Sequence, residues 1–454
     1  MAVSVSMALA TGTTLAARDD ADSAPWTDFG ECDVLVVGAG TAGVAAALQS
    51  ALAGARTVAI ERGFQVGGTM TGGGICFPGL FHAWGRQIID GPCYALVTNC
   101  VALSGGTLPD FGKPVGAEHW KHQIRINAPL YVALAEEALA KAGVRLLYHA
   151  APVSAVFGNG VWNVSVSAGG KTFAIHARQI VDCTGDATVA ALAGFARERG
   201  PERQPGTFVY EIDPGVDIGS LDRAALERAF AEALADGRLK PNDMRRGIFG
   251  FLKHRGDTDN YIEDADGSTA WSRTRTDMRG RASMLRVCRF LRGVPGLEKA
   301  TVVAMSPEVG VRETYRVAAE YTVTREDYYS GRVFPDAVCY AFYPIDLHDA
   351  KSGIHPERLP EGVVATVPLR ALVPKGARNF LVAGRCVGSD REANSGLRVQ
   401  ATCMAMGQAA GAAAACAAAR GCAPLEVPLG EIDSVLRKGG AIIPDREARK
   451  EGRK

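Results

Sequence analysis

The sequence predicts an α/β fold in which a parallel-sheet domain is split along the chain and interrupted by an inserted α+β segment. Three observations predict it. A short apolar run, Asp33–Val37, leads into a glycine cluster and is followed by a helix-like stretch and a second apolar run. A similar run ending in glycine recurs far downstream, at Phe380–Gly384. Between them, from about Gly206, the texture changes to charged helical pieces and polar loops.

Taken in order, Asp33–Val37 reads as a buried strand, because four apolar residues follow one another before the glycine. Gly43–Ala53 reads as a helix of Ala and Leu closed by Gly54, and Arg56–Ile60 as a second buried strand. A β-α-β unit completed in about thirty residues is the Rossmann unit. Residues 63–112 are rich in Gly and Pro and predict loops with one short helix near Tyr94–Leu103. Asn127–Ala142 has helical periodicity, with Leu130, Leu134 and Leu139 on a face, and Val144–Tyr148 is a third strand. Val153–Phe157, Val161–Val166 and Phe173–Ala177 suggest an antiparallel meander, after which Gln179–Cys183 returns to buried parallel character. In the insertion, Leu221–Leu234 and Met278–Phe290 read as helices, with polar loops around Asp257–Ser272. A helix from Leu397 to Arg420 follows the last strand. The division expected is a tail at 1–30, a first nucleotide-domain part at 31–205, a substrate or cap domain at 206–360, a second nucleotide-domain part at 361–425 and an extension at 426–454.

Composition sets outer bounds. The chain has 454 residues, 47% hydrophobic and 22% charged, which is enough to enclose a cofactor. Fifty basic residues against 49 acidic leave a net charge of +1, so no attraction to nucleic acid or anionic membrane is predicted. Eleven scattered cysteines without a Cys-x-x-Cys pair argue against a disulfide scaffold and for a reducing, cytoplasmic setting. The first 17 residues are small or apolar and lack Lys and Arg, which favours a poorly ordered tail over an export signal. The run Met404–Ala419 reads as too short and too poor in Leu and Ile to cross a bilayer, and Asp445–Lys454 as a frayed end. No cysteine or histidine cluster has zinc or iron–sulfur spacing, so no metal is expected.

The first chemical motif is Gly38-Ala39-Gly40-Thr41-Ala42-Gly43, preceded by a strand, followed by a helix, and joined by Glu61 at the end of the second strand, 23 residues after Gly38. Gly38 allows the tight turn, Gly40 the approach of a diphosphate, and Gly43 the close packing of helix on strand. The helix N-terminus offers unpaired N–H groups to the phosphates, and Glu61 can accept both ribose hydroxyls. Just beyond, Arg62, Gly67, Gly68 and Thr69 suit a cofactor whose diphosphate and ribityl pass the backbone, as FAD does and NAD does not. Arg62 reads equally as a phosphate neighbour or a solvated side chain. Thr71 and Gly72, with the two glycines after them, allow backbone beside a flat ring. Thr184-Gly185-Asp186 forms a small turn after a strand, with Asp186 either a ligand or a helix cap. Gly384-Arg385 and then Ser395-Gly396-Leu397-Arg398 place a turn and a helix start where N–H groups can meet a flavin carbonyl and favour a reduced, anionic ring.

These stretches resemble the FAD-dependent oxidoreductase family related to the succinate dehydrogenase and fumarate reductase flavoproteins. The resemblance is carried by VLVVGAGTAGVAAAL, ERGFQVGGTMTGGG, VDCTGDATVAALAG, PEVGVRETYRV, FYPIDLH and NFLVAGRCVGSDREANSGLRVQATCMAMGQAAG, from about 34 to 420. It implies a discontinuous Rossmann-like FAD-binding domain with a capping substrate domain, the flavin between Gly68–Gly74 and Gly384–Arg398, and the adenine near Val153. Many members of this branch have His where Arg391 stands here, so a role of that histidine does not carry over. No second GxGxxG and no redox cysteine pair occurs, which argues against an internal NAD(P)H domain and disulfide chemistry.

Flavin chemistry needs a group that handles a proton and a group that orients the substrate. His348 follows the apolar run from Tyr343 and reads as an acid/base or a hydrogen-bonded structural histidine. Arg312 and Arg316 fall on one face if Val311 starts a helix, and Arg312 either holds an anionic or polar group or pairs with Glu313, Glu320 or Asp346. Tyr343 and Arg391 are further candidates. The function expected is dehydrogenation of a small polar metabolite, with hydride passing to flavin N5 and then to an external electron acceptor. Reduction of an activated C=C bond is the alternative reaction. A non-catalytic or RNA-modification-associated flavoprotein is the alternative class, disfavoured by the absence of a basic stripe.

Overall fold

The structure is a computed structural model, and it describes residues 30–115 and 118–447. The N-terminal tail, the possible export signal and most of the charged C-terminal end lie outside those residues.

Strand β1 (Glu31–Val37), helix α1 (Thr41–Leu52) and strand β2 (Thr57–Ile60) form the expected unit. Helices α2 (Pro92–Leu103) and α3 (Ala128–Lys141) follow, the latter capped by the Asn127 side chain on the Leu130 N–H. Strand β3 (Arg145–Leu147) then precedes β4 (Ala150–Gly158), β5 (Val161–Ala168) and β6 (Lys171–Asp182). The order in the sheet is β3-β2-β1-β6-β5-β4, with β3, β2, β1 and the end of β6 parallel. Val34 and Val36 point into one core while Leu35 and Val37 point into the other. A strand apolar on both faces is what a sheet covered on both sides requires. The two segments expected separately at 173–177 and 179–183 are one strand, antiparallel to β5 along its first part and parallel to β1 along its last.

The insertion has a core of its own. Strand β7 (Tyr210–Asp213) precedes helices α4 (Arg223–Ala235) and α5 (Gly247–Lys253), strand β8 (Gly256–Asp257), helix α6 (Ala270–Arg292) and strand β9 (Thr301–Met305). The three strands pair antiparallel, and Phe208, Phe251, Val287 and Val309 pack with them. Beyond Val309 the chain leaves that core. Val317 packs into one core of the first domain, and Val323, Tyr328, Ala341 and Ile345 into the other. Thus much of 311–360, grouped with the insertion from sequence texture, packs into the cores of the first domain and not into that of the insertion. Within it β10 (Ile345–Asp349) and β11 (Gly353–Glu357) form a hairpin.

Strand β12 (Phe380–Val382) returns to the sheet beside β6. Where one helix was expected from Leu397, two form: α7 (Arg391–Leu397) and α8 (Gln400–Arg420), broken at extended Val399. Helix α8 is long and apolar enough to cross a membrane by length and composition, contrary to the reading from its Ala-rich run, but it is buried inside the protein. It packs on α1 through small residues. A Cβ at Gly407 would stand 2.1 Å from the Ala42 carbonyl oxygen, and one at Gly411 2.3 Å from that of Ala46. Gly407→Val is therefore expected to destabilise the protein by about 1–3 kcal/mol or more, as overpacking does. A urea titration checks it, and an unchanged midpoint would mean that the two helices separate without cost.

Candidate active site

One cavity of about 1050 Å³ runs along the C-terminal ends of β1, β2, β6 and β12 and under the insertion. That is the upper end of the range for ligand sites, at the place where doubly wound sheets bind nucleotides. At its β1 end, Gly38 has φ +91, and a Cβ there would lie 2.7 Å from the Cys183 carbonyl oxygen. Gly43 does not line the cavity; a Cβ on it would sit 1.8 Å from the Gly38 carbonyl oxygen, so it sets how closely α1 meets β1. Gly40, Thr41 and Ala42 line the wall, and no side chain caps the start of α1. Its first N–H groups are left for an anion.

Glu61 ends the second strand at the same wall. Its carboxylate accepts the Ala39 N–H at 2.7 Å and the Gly63 N–H at 2.8 Å. Those bonds fix its direction and leave lone pairs toward the cavity. Arg62 also lines the wall, about half exposed and 3.7 Å from Glu308. Gly68 and Thr69 line it as well, whereas Gly67, Thr71 and Gly72 do not. Gly67 donates its N–H to Ala39, and Thr71 bonds the Val66 carbonyl with its hydroxyl. Gly72 receives the Glu308 N–H on its carbonyl, tying this loop to the insertion. Val153 turns its side chain to solvent, at 49% exposure, and Ala150–Pro152 supply the wall there instead. Side chains alternate along β4, so a neighbour of Val153 faces inward.

Thr184, Gly185 and Asp186 line the opposite wall with Gly384 and Arg385. Asp186 accepts the Thr314 hydroxyl at 2.6 Å and lies 3.2 Å from the Arg385 guanidinium. It is thus a paired acid and not the cap of a following helix, whose cap position is Ala187. Ser395, Gly396 and Leu397 are buried in the last turns of α7, away from the cavity. Ser395 accepts the Asp346 N–H, and Gly396 packs on the Tyr328 phenol. The helix start that does reach the cavity is that of α8, where Arg398, Val399, Gln400 and Cys403 line the wall.

The far end of the cavity collects Arg312, Tyr343, Asp346 and His348 with Arg398. His348 Nε2 lies 2.9 Å from the Asp346 carboxylate, and Nδ1 lies 2.5 Å from the Tyr261 hydroxyl. Burial, and then the Arg312 and Arg398 charges, outweigh Asp346 and push His348 down to about 4. A neutral imidazole with its proton on Nε2 donates to Asp346 and accepts the Tyr261 O–H on Nδ1. Burial works against the Asp346 charge, but the His348 hydrogen bond and the arginines hold its carboxyl below the usual range. Tyr343 accepts the Gln123 side-chain N–H at 2.9 Å, and burial keeps its phenol protonated.

Arg312 does not sit on a helix. Residues 311–315 are irregular, and its guanidinium bonds the Pro205 carbonyl and, at 3.0 Å, the Thr207 hydroxyl. Burial pushes it down to about 10. Arg316 bonds the Ser389 carbonyl in the interior, away from the cavity. Arg391 is likewise outside the cavity, paired with Glu313 at 3.1 Å. Glu313, a possible partner of Arg312, is thereby taken by a different arginine. Tyr261 was not singled out from sequence, and Asp346 only as a possible partner of Arg312. Asp346 had a signal: two residues before His348 in a strand, it shares that side chain's face.

FAD fits these residues. The glycine turn and free start of α1 suit a diphosphate, and Glu61 suits a ribose. Arg398 Nε and Gln400 Oε1 are buried without a partner in the protein, one a donor and one an acceptor, at the end where a polar ring edge would lie. Among the described residues, no group of three metal-ligating side chains occurs.

A family described as FAD dependent oxidoreductase matches residues 33–436. The chain is 28% identical over 183 residues to a thiamine thiazole synthase from Archaeoglobus fulgidus, covering 38% of this chain and 63% of that one. It is 43% identical over 67 residues to a thiamine thiazole synthase from Metallosphaera sedula, covering 15% and 22%. The chain thus spans less than two thirds of the length of these relatives. Among solved structures, an anhydrotetracycline hydroxylase from Streptomyces rimosus is similar with TM-score 0.40 at 14% identity, covering 89% of this chain and 65% of that one. A geranylgeranyl bacteriochlorophyll reductase-like protein from Thermoplasma acidophilum is similar with TM-score 0.38 at 12% identity, covering 90% and 82%.

Proposed function

Because the chain belongs to the FAD dependent oxidoreductase family, we propose that it dehydrogenates a small polar metabolite at a carbon bearing a hydroxyl or amine. The observation that carries this reading is the single cavity joining the Gly38–Gly43 and Glu61 end to the cluster of Arg312, Tyr343, Asp346 and His348. Bound FAD supplies a hydride acceptor at N5.

The chain's own residues do the rest. Arg312 binds an electronegative group on the substrate, and the Tyr343 O–H donates to an oxygen and fixes its orientation. The substrate proton passes to Nδ1 of His348, which lines the cavity and releases the Tyr261 O–H to accept it, and the Asp346 carboxylate stabilises the imidazolium that results. The insertion lines this end through Thr207, Arg246 and Thr258. Reduction of an activated C=C, the chemistry of fumarate reductases, is the competing direction, with the same relay returning the proton. Kinship with the succinate dehydrogenase and fumarate reductase flavoproteins is part of this proposal. So are an electron acceptor outside the chain and a cytoplasmic setting, the latter supported by eleven cysteines all unpaired as thiols.

Purified protein is expected to be yellow and to release FAD on denaturation. A folded, colourless preparation that takes up no FAD contradicts the reading. Anaerobic bleaching of the holoenzyme across alcohols, amines and hydroxy compounds then identifies the substrate class. Reoxidation of the reduced protein by an activated alkene, with no bleaching by any of those donors, would favour the competing direction.

A further inference from the structure

A second chamber of about 300 Å³ adjoins the main cavity and shares Arg246, Thr258, Arg312, His348 and Ile354 with it. Arg245, Asp259 and Tyr261 line the small chamber alone. The Arg245 guanidinium lies 3.6 Å from the Tyr261 ring centroid, and that of Arg312 lies 5.3 Å from the same point. The nearby acids are already engaged. Asp259 is 3.7 Å from Arg246 and accepts its backbone N–H, while Asp346 takes His348 at 2.9 Å and Arg398 at 3.7 Å. Among the described residues no carboxylate lies within 4.0 Å of Arg245 or Arg312.

Arg246 is half exposed and paired with Asp259, which leaves the guanidiniums of Arg245, Arg312 and Arg398 beside one carboxylate, Asp346, and His348 adds no charge while neutral. A surplus of cations held out of water costs free energy unless a ligand supplies the counter-charge. Burial, then repulsion from Arg398, presses Arg312 down in pKa, as expected of a cation short of a counter-ion. Arginine forks match carboxylates in shape as well as charge. The chamber sits at the low end of ligand-site volumes, room for an acid group and a short stem.

We propose that the substrate carries an anionic substituent of carboxylate size, seated on Arg245 and Arg312 in this chamber while its reacting carbon lies in the main cavity. This rests on the reading of the main cavity as the reaction site. Arg245 is the anchor that distinguishes it, because Arg245 does not line the FAD cavity and its loss leaves the cofactor's contacts untouched.

The test titrates the holoenzyme with acetate, benzoate and hexanoate and with their neutral amides. Binding is read by calorimetry and by the shift in FAD visible absorbance. At least one acid is expected to bind about tenfold more tightly than its amide, a difference of about 1.4 kcal/mol. In Arg245→Gln that preference should fall to roughly twofold or less, with FAD content unchanged, because the fork that reads the carboxylate is gone. If Arg245→Gln does not fold, Arg245→Lys keeps the charge but loses the fork. It should weaken the acid roughly threefold or more and leave the amide alone. The proposal is overturned if no acid exceeds its amide, or if the preference survives the substitution. Protein that retains no FAD overturns the reading of the main cavity; protein that retains FAD without an acid preference overturns only the anion site.

Discussion

Glu61→Ala is expected to lose FAD by about a hundredfold or more in affinity. The carboxylate offers two charge-assisted bonds to ribose hydroxyls, each worth about 1.5–3 kcal/mol, and every 1.4 kcal/mol is tenfold in binding. It also holds the Ala39 and Gly63 N–H groups, so its removal loosens the turn that cradles the diphosphate. Titrating apoprotein with FAD and following flavin fluorescence measures the effect, and far-UV circular dichroism shows that the fold survives. Glu61→Gln separates the two contributions, since the amide keeps an oxygen for one N–H but cannot accept on both sides. Unchanged FAD affinity in Glu61→Ala would place the ribose elsewhere.

His348→Ala is expected to lower kcat about 10²–10⁴-fold, the usual worth of a positioned proton acceptor. FAD content should not change, because His348 is bonded to Asp346 and Tyr261 and takes no part in the glycine turn or the Glu61 contacts. The pH profile carries a sharper signature. Burial first, then the arginine charges, depress His348 from 6.5 to about 4, so the neutral form that accepts a proton persists well below the ordinary histidine range. The acid limb of kcat/KM should fall near pH 4 and not near 6.5. Stability follows the same sign: the unfolded chain binds this proton more readily, so stability is withdrawn as pH falls from about 6.5 toward 4 and is untouched above. A wild-type acid limb near 6.5, or His348→Ala with wild-type kcat, would remove His348 from the relay.

The β1-α1-β2 unit was legible because each glycine in it answers to one steric demand, and strand, turn and helix follow within a short window. Glu61 was legible for the same reason, since its place is fixed by the end of β2. The break at Val399 was not, because no Gly or Pro marks it. Tertiary contacts hold it: the Arg398 guanidinium donates to the Asp346 carbonyl at 3.1 Å, and the Ala401 N–H to the Pro78 carbonyl at 2.6 Å. The irregular path around Arg312 has the same origin, because Gly310 pairs with Thr207 and Val317 bonds the Cys386 carbonyl on either side of it. Tyr261 had no local signal at all. It reaches His348 from 87 positions away, across the gap between the insertion and the hairpin.

The pairing of α1 with α8 also sets a timetable. Roughly 350 residues separate the two helices, and at about 5–20 residues per second of synthesis the second emerges some tens of seconds after the first. Until then the side of α1 that α8 covers is open, and β6 lacks β12 beside it. A nascent chain in that interval is exposed to aggregation, and slowing translation between 206 and 380 should lower soluble yield in proportion to the delay.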